Sequence, residues 1–284
     1  MSFPRKRRTT PFVEEPATYN IPPRDMVLCP RCGTPVLIPP KSRPKRFREI
    51  DRKGDLLVCT ANYSGKRHQM AMLEESCRVY GLDFNYHEGD WQGFIISKTQ
   101  GIVDFLSRVT HPYVLFTDAW DSWMLANEKT IMDIYHSFEK PIVVCGHEHI
   151  YPADGSIHAY NFPESPTRYR YTCPGQYMGE TGVLLETIRY MLETYTQYSN
   201  DQSLWNKGIA SGDITEVVEI DYHCKLFLEM TGMHLGHLSF DSERRVVFDE
   251  TGSRPIGIHF GGPKGAAPNG QNMNSFYQTW VHNR

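Results

Sequence analysis

The chain has 284 residues, a formal net charge of −3, 40% hydrophobic and 12% aromatic residues, values that describe a globular protein with ample core. No stretch of 18 apolar residues exists, which excludes a transmembrane helix. The N-terminus, rich in Arg and Lys but lacking an apolar core segment, excludes a secretory signal; together these predict a cytoplasmic protein with no membrane partner. Seven cysteines is an odd number, and in such a compartment it points to thiols or a metal rather than a disulfide framework.

The charge is unevenly distributed. Residues 1–53 carry 13 Lys and Arg against 5 Asp and Glu, and 10 of the 19 prolines; the remainder carries 17 against 28. This predicts a basic, Pro-rich, weakly ordered arm over residues 1–53 and an acidic body over residues 54–284. Runs such as Arg5-Lys6-Arg7-Arg8 and the segment 41–48 can meet the phosphates of a nucleic acid, or can be merely solvated. Inside the arm, Cys29-Pro30-Arg31-Cys32-Gly33 has the spacing of a zinc knuckle. A closed site needs two further ligands, and no second CxxC is present, so structural zinc at Cys29 and Cys32, a redox pair and free thiols all stay open.

The body alternates in period. Residues 55–61 read as a strand, 66–80 as a helix, 82–86 as a short strand, and 98–109 as a helix with Ile102, Phe105, Leu106 and Val109 spaced for burial. Tyr113 to Phe116 is a buried strand running into Thr117-Asp118-Ala119-Trp120-Asp121. Two carboxylates three residues apart therefore stand where a strand leaves the sheet, the usual position of ligands in open α/β sheets. They suit a hard divalent cation that keeps positions open for phosphate oxygens, or more plainly a turn and a helix cap. A helix over 128–138 and a strand over 141–145 follow; strands alternating with helices predict a mainly parallel α/β sheet. No GxGxxG or GxxxxGK[ST] occurs, which weakens dinucleotide and P-loop readings. Residues 153–175, polar and rich in Pro and Tyr, read as a long surface excursion. A helix is expected over 182–198, another from Asn200 or Asp201, strands at 217–221 and 225–227, and a last one at 256–259. His259, followed by Gly261, Gly262 and Lys264, forms a metal and phosphate station, or is an ordinary histidine.

Gly146-His147-Glu148-His149 resembles the GHxH element of metallophosphoesterases, but the upstream Asp-x-His and Gly-Asn-His elements of that fold are missing. A broader resemblance is carried by an ordered set: Leu57-Val58-Cys59-Thr60, the Phe116 to Asp121 tip, Glu148-His149-Ile150-Tyr151-Pro152, Gly179-Glu180-Thr181-Gly182, Asp201-Gln202, Ile220-Asp221 through Phe227, and His259-Phe260-Gly261-Gly262-Pro263. The set resembles the glycosyltransferase domain of procollagen lysyl hydroxylases and related collagen glycosyltransferases, over roughly residues 55–264. The resemblance implies a GT-A type, Rossmann-like mixed sheet flanked by helices, a UDP-sugar donor, and manganese or magnesium. Asp118, Asp121 and His259 would hold the metal. Trp120 would line the nucleoside pocket, Thr60 would meet base or ribose, and Lys98, Gly262 and Lys264 would face the uridine or diphosphate. Asp201, on a DDQ-like element, and Glu148 would orient or deprotonate the acceptor hydroxyl. The family's NSGG turn is matched here to Met178 through Gly182, and the hydroxylase domain is lacking. Without a secretory signal the expected acceptor is a hydroxylated DNA base or an intracellular protein. The alternatives are a phosphoesterase-like hydrolase and a non-catalytic nucleic-acid-binding protein.

Overall fold

The computed structural model describes residues 26–28, 35–37, 52–63, 70–152, 157, 161–262 and 269–283. The chain divides into two units, Met1–Pro44 and Lys45–Arg284. In the first, β1 (Met26–Leu28) pairs antiparallel with β2 (Pro35–Leu37). Cys29 and Cys32, the candidate zinc pair, lie outside the described residues.

The second unit runs β3 (Leu56–Asn62), α1 (Ala71–Val79), β4 (Asp83–Glu88), α2 (Gly101–Leu106), β5 (Tyr113–Thr117), β6 (Ser122–Met124), α3 (Glu128–Tyr135), β7 (Ile142–His147), β8 (Tyr171–Glu180), α4 (Thr181–Thr194), α5 (Asp201–Ser211), β9 (Val218–Asp221), β10 (Phe227–Glu229), β11 (Leu238–Phe240), β12 (Val246–Phe248), β13 (Gly257–His259) and α6 (Asn269–Asn283). Six strands form the main sheet in the order β4-β3-β5-β8-β7-β9. β3 is parallel to β4 and β5, β7 is parallel to β9, and β8 is antiparallel to both of its neighbours. The expected fold class is met: a mixed sheet flanked by helices. No helix among the described residues is long and apolar enough to cross a membrane.

The continuous apolar runs of the central strands are explained by burial on both faces. Side chains alternate across a strand. Leu57, Cys59, Val114, Phe116, Ile142 and Val144 pack with α2, α4 and α5 residues such as Phe105, Leu184 and Trp205. Leu56, Val58, Leu115, Val143 and Met178 pack on the other face with Leu73, Cys77, Ile131 and Tyr135 of α1 and α3. A second sheet, β10-β13-β6, lies beside the first and has its own core, which includes Trp123, Leu228, Ile258 and Trp280.

β6, β11, β12 and α6 have no counterpart in the sequence expectation, and two expected segments are built differently. The segment read as a surface excursion ends in β8, ten residues long and nearly all buried. Its sequence, Tyr-Thr-Cys-Pro-Gly-Gln-Tyr-Met-Gly-Glu, lacks an apolar run, and Pro174-Gly175 imitates a loop. The pairing of β7 with β8 shifts register here, from Val144 opposite Tyr177 to Cys145 opposite Cys173. Pro174 therefore sits in a bulge, where its missing N–H costs no ladder bond. The helix expected from Lys98 begins earlier: Phe94–Gln100 is wound as a π-helix that continues into α2. Such wider turns interrupt α-helices chiefly at functional positions.

Candidate active site

The carboxyl end of β5 is where the two sheets meet. Asp118 leaves the strand with its backbone N–H donating to the Gly175 carbonyl of β8 at 2.8 Å. Four residues later β6 begins and pairs antiparallel with β13, so that Ser122 lies opposite His259; the Phe260 N–H donates to the Asp121 carbonyl at 2.8 Å. β13 is in turn parallel to β10, with His259 opposite Glu229. These pairings bring residues far apart in the chain to one point.

His259, 4% exposed, uses both ring nitrogens. Its Nε2 is 3.6 Å from Oδ2 of Asp118 and 3.6 Å from Oδ2 of Asp121. Its Nδ1 is hydrogen-bonded to Oε2 of Glu229. Glu229 also accepts from the Thr231 N–H at 2.9 Å and the Gly261 N–H at 3.1 Å. Cys173 of β8 lies against the same pair, its Sγ 3.4 Å from Glu229 Oε2 and 3.9 Å from His259 Nδ1. Gly175 passes directly beneath the imidazole: a Cβ there would stand 2.3 Å from His259 Cε1. On the other side of Asp118, Lys98 Nζ bridges Asp118 Oδ1 at 2.7 Å and Asp201 Oδ2 at 2.8 Å. Asp201 is the first residue of α5, whose N-cap Asn200 accepts from the Gln202 N–H at 2.8 Å.

The electrostatics follow from this packing. Burial disfavours the imidazolium, but Glu229 and Asp121 outweigh it and hold His259 well above its ordinary pKa. Burial likewise opposes ionisation of Glu229, yet His259 brings its carboxyl down to about 2. Burial works against the Lys98 ammonium, and Asp118 and Asp201 more than offset it, so the lysine is pushed up. Burial pushes Asp118 up despite Lys98 and His259. Four carboxyl groups face two basic side chains, an excess of acidic groups that favours a bound cation. Asp118, Asp121 and His259 offer ligand atoms all within 4.8 Å of one another. Two carboxylate oxygens and one imidazole suit manganese or magnesium, whose bonds of about 2.1 Å put adjacent ligand atoms roughly 3 Å apart. The residues present fit such an ion.

The remaining expected site residues are placed as follows. Trp120 lies in the Asp118–Asp121 turn, partly exposed. Thr60 is fully buried at the carboxyl end of β3, and its hydroxyl has no hydrogen-bond partner among the described residues. Alternation puts it on the face of Leu56 and Val58, opposite Lys98, which stacks over Phe116 at 5.4 Å. Gly262 is exposed just beyond β13 with φ +95°; Lys264 lies outside the described residues. Glu148 follows β7 and pairs with Arg168 at 3.2 Å and His149 at 3.3 Å, rather than with the Asp118 group. His147 and His149 belong to neither of the metal-capable groups found among the described residues. The end of the Met178 to Gly182 segment matched to the NSGG turn lies away from the Asp118 group: Glu180 pairs with Tyr113, at the opposite end of β5 from Asp118. The glycine at the site is Gly175, within Cys173-Pro174-Gly175-Gln176. Glu229, Cys173 and Gly175 were missed by sequence reasoning. The only local signals were an acidic residue closing the apolar stretch Leu226-Phe227-Leu228 and a glycine within a misread strand. Asp221 is a structural corner, its buried carboxylate accepting from the N–H groups of Lys225, Leu226 and Phe227 at 2.7–2.9 Å.

The chain resembles several solved glycosyltransferases. One, involved in glycosylation of the major capsid of PBCV-1, is 11% identical with a TM-score of 0.48, covering 78% of this chain and 98% of that one. The galactosyltransferase LgtC, in complex with donor and acceptor sugar analogs, is 10% identical with a TM-score of 0.49, covering 80% and 100%. The bifunctional glycosyltransferase WbbM is 13% identical with a TM-score of 0.47, covering 80% and 49%. No curated protein matches. The family model described as the PLOD GT domain matches residues 58–283, which include both metal-capable groups and all six strands of the main sheet except the first two residues of β3. The chain thus belongs to the PLOD GT domain family, the glycosyltransferase domain of the lysyl hydroxylases.

Proposed function

We propose that this chain is a divalent-metal-dependent glycosyltransferase that transfers a hexose from a UDP-sugar to a hydroxyl acceptor. The observation that carries the reading is the convergence of Asp118, Asp121 and His259 beside the Asp118–Lys98–Asp201 bridge. Asp118, Asp121 and His259 would hold manganese or magnesium, which when bound supplies counter-charge to a diphosphate leaving group. Lys98, one-eighth exposed and fixed by two carboxylates, is a preformed cation beside that position. Trp120, in the same turn, offers a ring face to the nucleoside. Asp201 is held at the start of α5 with one oxygen on Lys98, on the side of the lysine away from Asp118's metal-facing oxygen; it would orient the donor sugar or the attacking hydroxyl. Glu148, taken up by Arg168, is better suited to the rim of the acceptor side than to proton transfer. The net charge of +8 on residues 1–53 supports an anionic acceptor, such as a hydroxylated base in DNA, drawn in by phosphate contacts.

The test is thermal denaturation with manganese and UDP. At 100 times its Kd a ligand adds about 2.7 kcal/mol, or roughly 5–10 °C for a domain of this size. Asp121→Asn should cut affinity at least about 100-fold and leave about 0.4 kcal/mol, a shift of 1–2 °C or so. An undiminished shift in Asp121→Asn removes this residue from the metal site. Manganese-dependent hydrolysis of UDP-glucose, UDP-galactose or UDP-N-acetylglucosamine then identifies the donor.

A further inference from the structure

The donor-metal reading uses one nitrogen of His259. The other nitrogen faces a different set of ligands. Nδ1 lies against Glu229 Oε2 and 3.9 Å from Cys173 Sγ, and Sγ is 3.4 Å from Oε2. All three residues are more than nine-tenths buried, and their ligand atoms lie within 4.8 Å of one another. Zinc bonds of about 2.3 Å to sulfur and 2.0–2.1 Å to nitrogen or oxygen put tetrahedral S and N/O ligands about 3.5 Å apart. The two sulfur distances already bracket that value; only the Glu229–His259 hydrogen bond has to open. The three ligands come from β8, β10 and β13, so they are positioned by two sheets rather than by a loop. Gly175, two residues after Cys173, holds the ring from below.

We propose that Cys173, Glu229 and His259 form a second cation site, selective for thiophilic divalent ions such as zinc or cobalt, and that it competes with the site at Asp118 and Asp121 for His259. On binding, the Cys173 thiol proton and the Nδ1 proton leave to solvent. Glu229 exchanges its bond to that proton for a bond to the ion, and no electron moves. A neutral imidazole has one lone pair. A cation at Nδ1 leaves the proton on Nε2, and a cation at Nε2 leaves it on Nδ1. Filling one site therefore empties the other while the ring carries its one proton. Manganese and magnesium prefer the oxygen-rich side, whereas zinc gains the thiolate. The thiol site stands on geometry alone; its competition with the Asp118 site rests on the proposed function.

Cobalt reports sulfur ligation directly, through a thiolate-to-cobalt charge-transfer band in the near ultraviolet. The experiment uses the full chain carrying Cys29→Ser and Cys32→Ser, which removes the thiols of the basic arm. Titration with cobalt should raise the band to saturation at one equivalent, and zinc should bleach it. Adding Cys173→Ser should remove the band and weaken cobalt binding at least about tenfold, since even changes around a ligand set cost 10–100-fold. Cys77→Ser, a buried thiol on α1, should leave it unchanged. Absence of the band in the parent, which needs no change at Cys173, overturns the site, as does a band that survives Cys173→Ser. Magnesium with UDP should weaken cobalt binding at least about tenfold; a band at full strength with unchanged affinity overturns the competition, and if magnesium and UDP also leave the melting temperature unmoved, it is the proposed function that has failed.

Discussion

Gly175→Ala is the perturbation that most directly probes how the site is held. The new methyl would stand 2.3 Å from His259 Cε1 and 2.6 Å from Nδ1. Ordinary contact between such atoms begins at about 3.5 Å, so the ring must retreat by roughly 1 Å. It cannot do so freely. Nδ1 is tied to Glu229, and the backbone of His259 is fixed between β10 and β6. Overpacking of this kind costs about 1–3 kcal/mol, or roughly 2–10 °C in melting temperature. The larger effect falls on function: a ligand displaced by about 1 Å from its working position costs on the order of 100-fold. The expected outcome is a folded protein that keeps all three metal ligands yet loses most of its manganese and UDP response and about two orders of magnitude in transfer. Thermal shift with and without manganese and UDP, followed by transfer assays, measures both. Gly182→Ala is the internal control. It sits in the first turn of α4 with nothing within 4 Å of the new methyl, and should be neutral or stabilising by up to about 1 kcal/mol. A Gly175→Ala protein with wild-type response would refute the claim that this glycine exists to make room for His259.

Two further substitutions separate donor from acceptor chemistry. Asp201→Asn should leave UDP affinity nearly normal and lower transfer at least about tenfold, because Asp201 meets Lys98 rather than the metal ligands; collapse of UDP binding with turnover of bound donor preserved would reverse that assignment. Deleting residues 1–53 should raise the apparent KM for an anionic acceptor, flatten its salt dependence, and leave hydrolysis of UDP-sugar by water unchanged; equal transfer by the truncated protein at low and high salt would reduce the arm to a tail.

The legible parts of this protein are those that short-range patterns encode. β3, β5 and β7 are apolar runs because both faces of a central strand are buried, and α4 shows its stripe because only one face is. Asp118 and Asp121 stand out because two carboxylates three residues apart follow a buried strand, a pattern that a turn and a helix cap also explain, and the order of motifs along the chain was enough to suggest the family. Tertiary structure decided the rest. β8 hides behind a Pro-Gly pair because its stability comes from ladder bonds and neighbours on both sides rather than from its own composition. Glu229, Cys173 and Gly175 carry little local sign of a role, since their meaning lies in strand pairings: β13 with β10 and β6, and β8 with β5. A one-residue slip in any of these would turn His259, Glu229 or Cys173 to the opposite face. The residue types at the site are written in the sequence, but which nitrogen of His259 meets which ligand is fixed only by the register of two sheets.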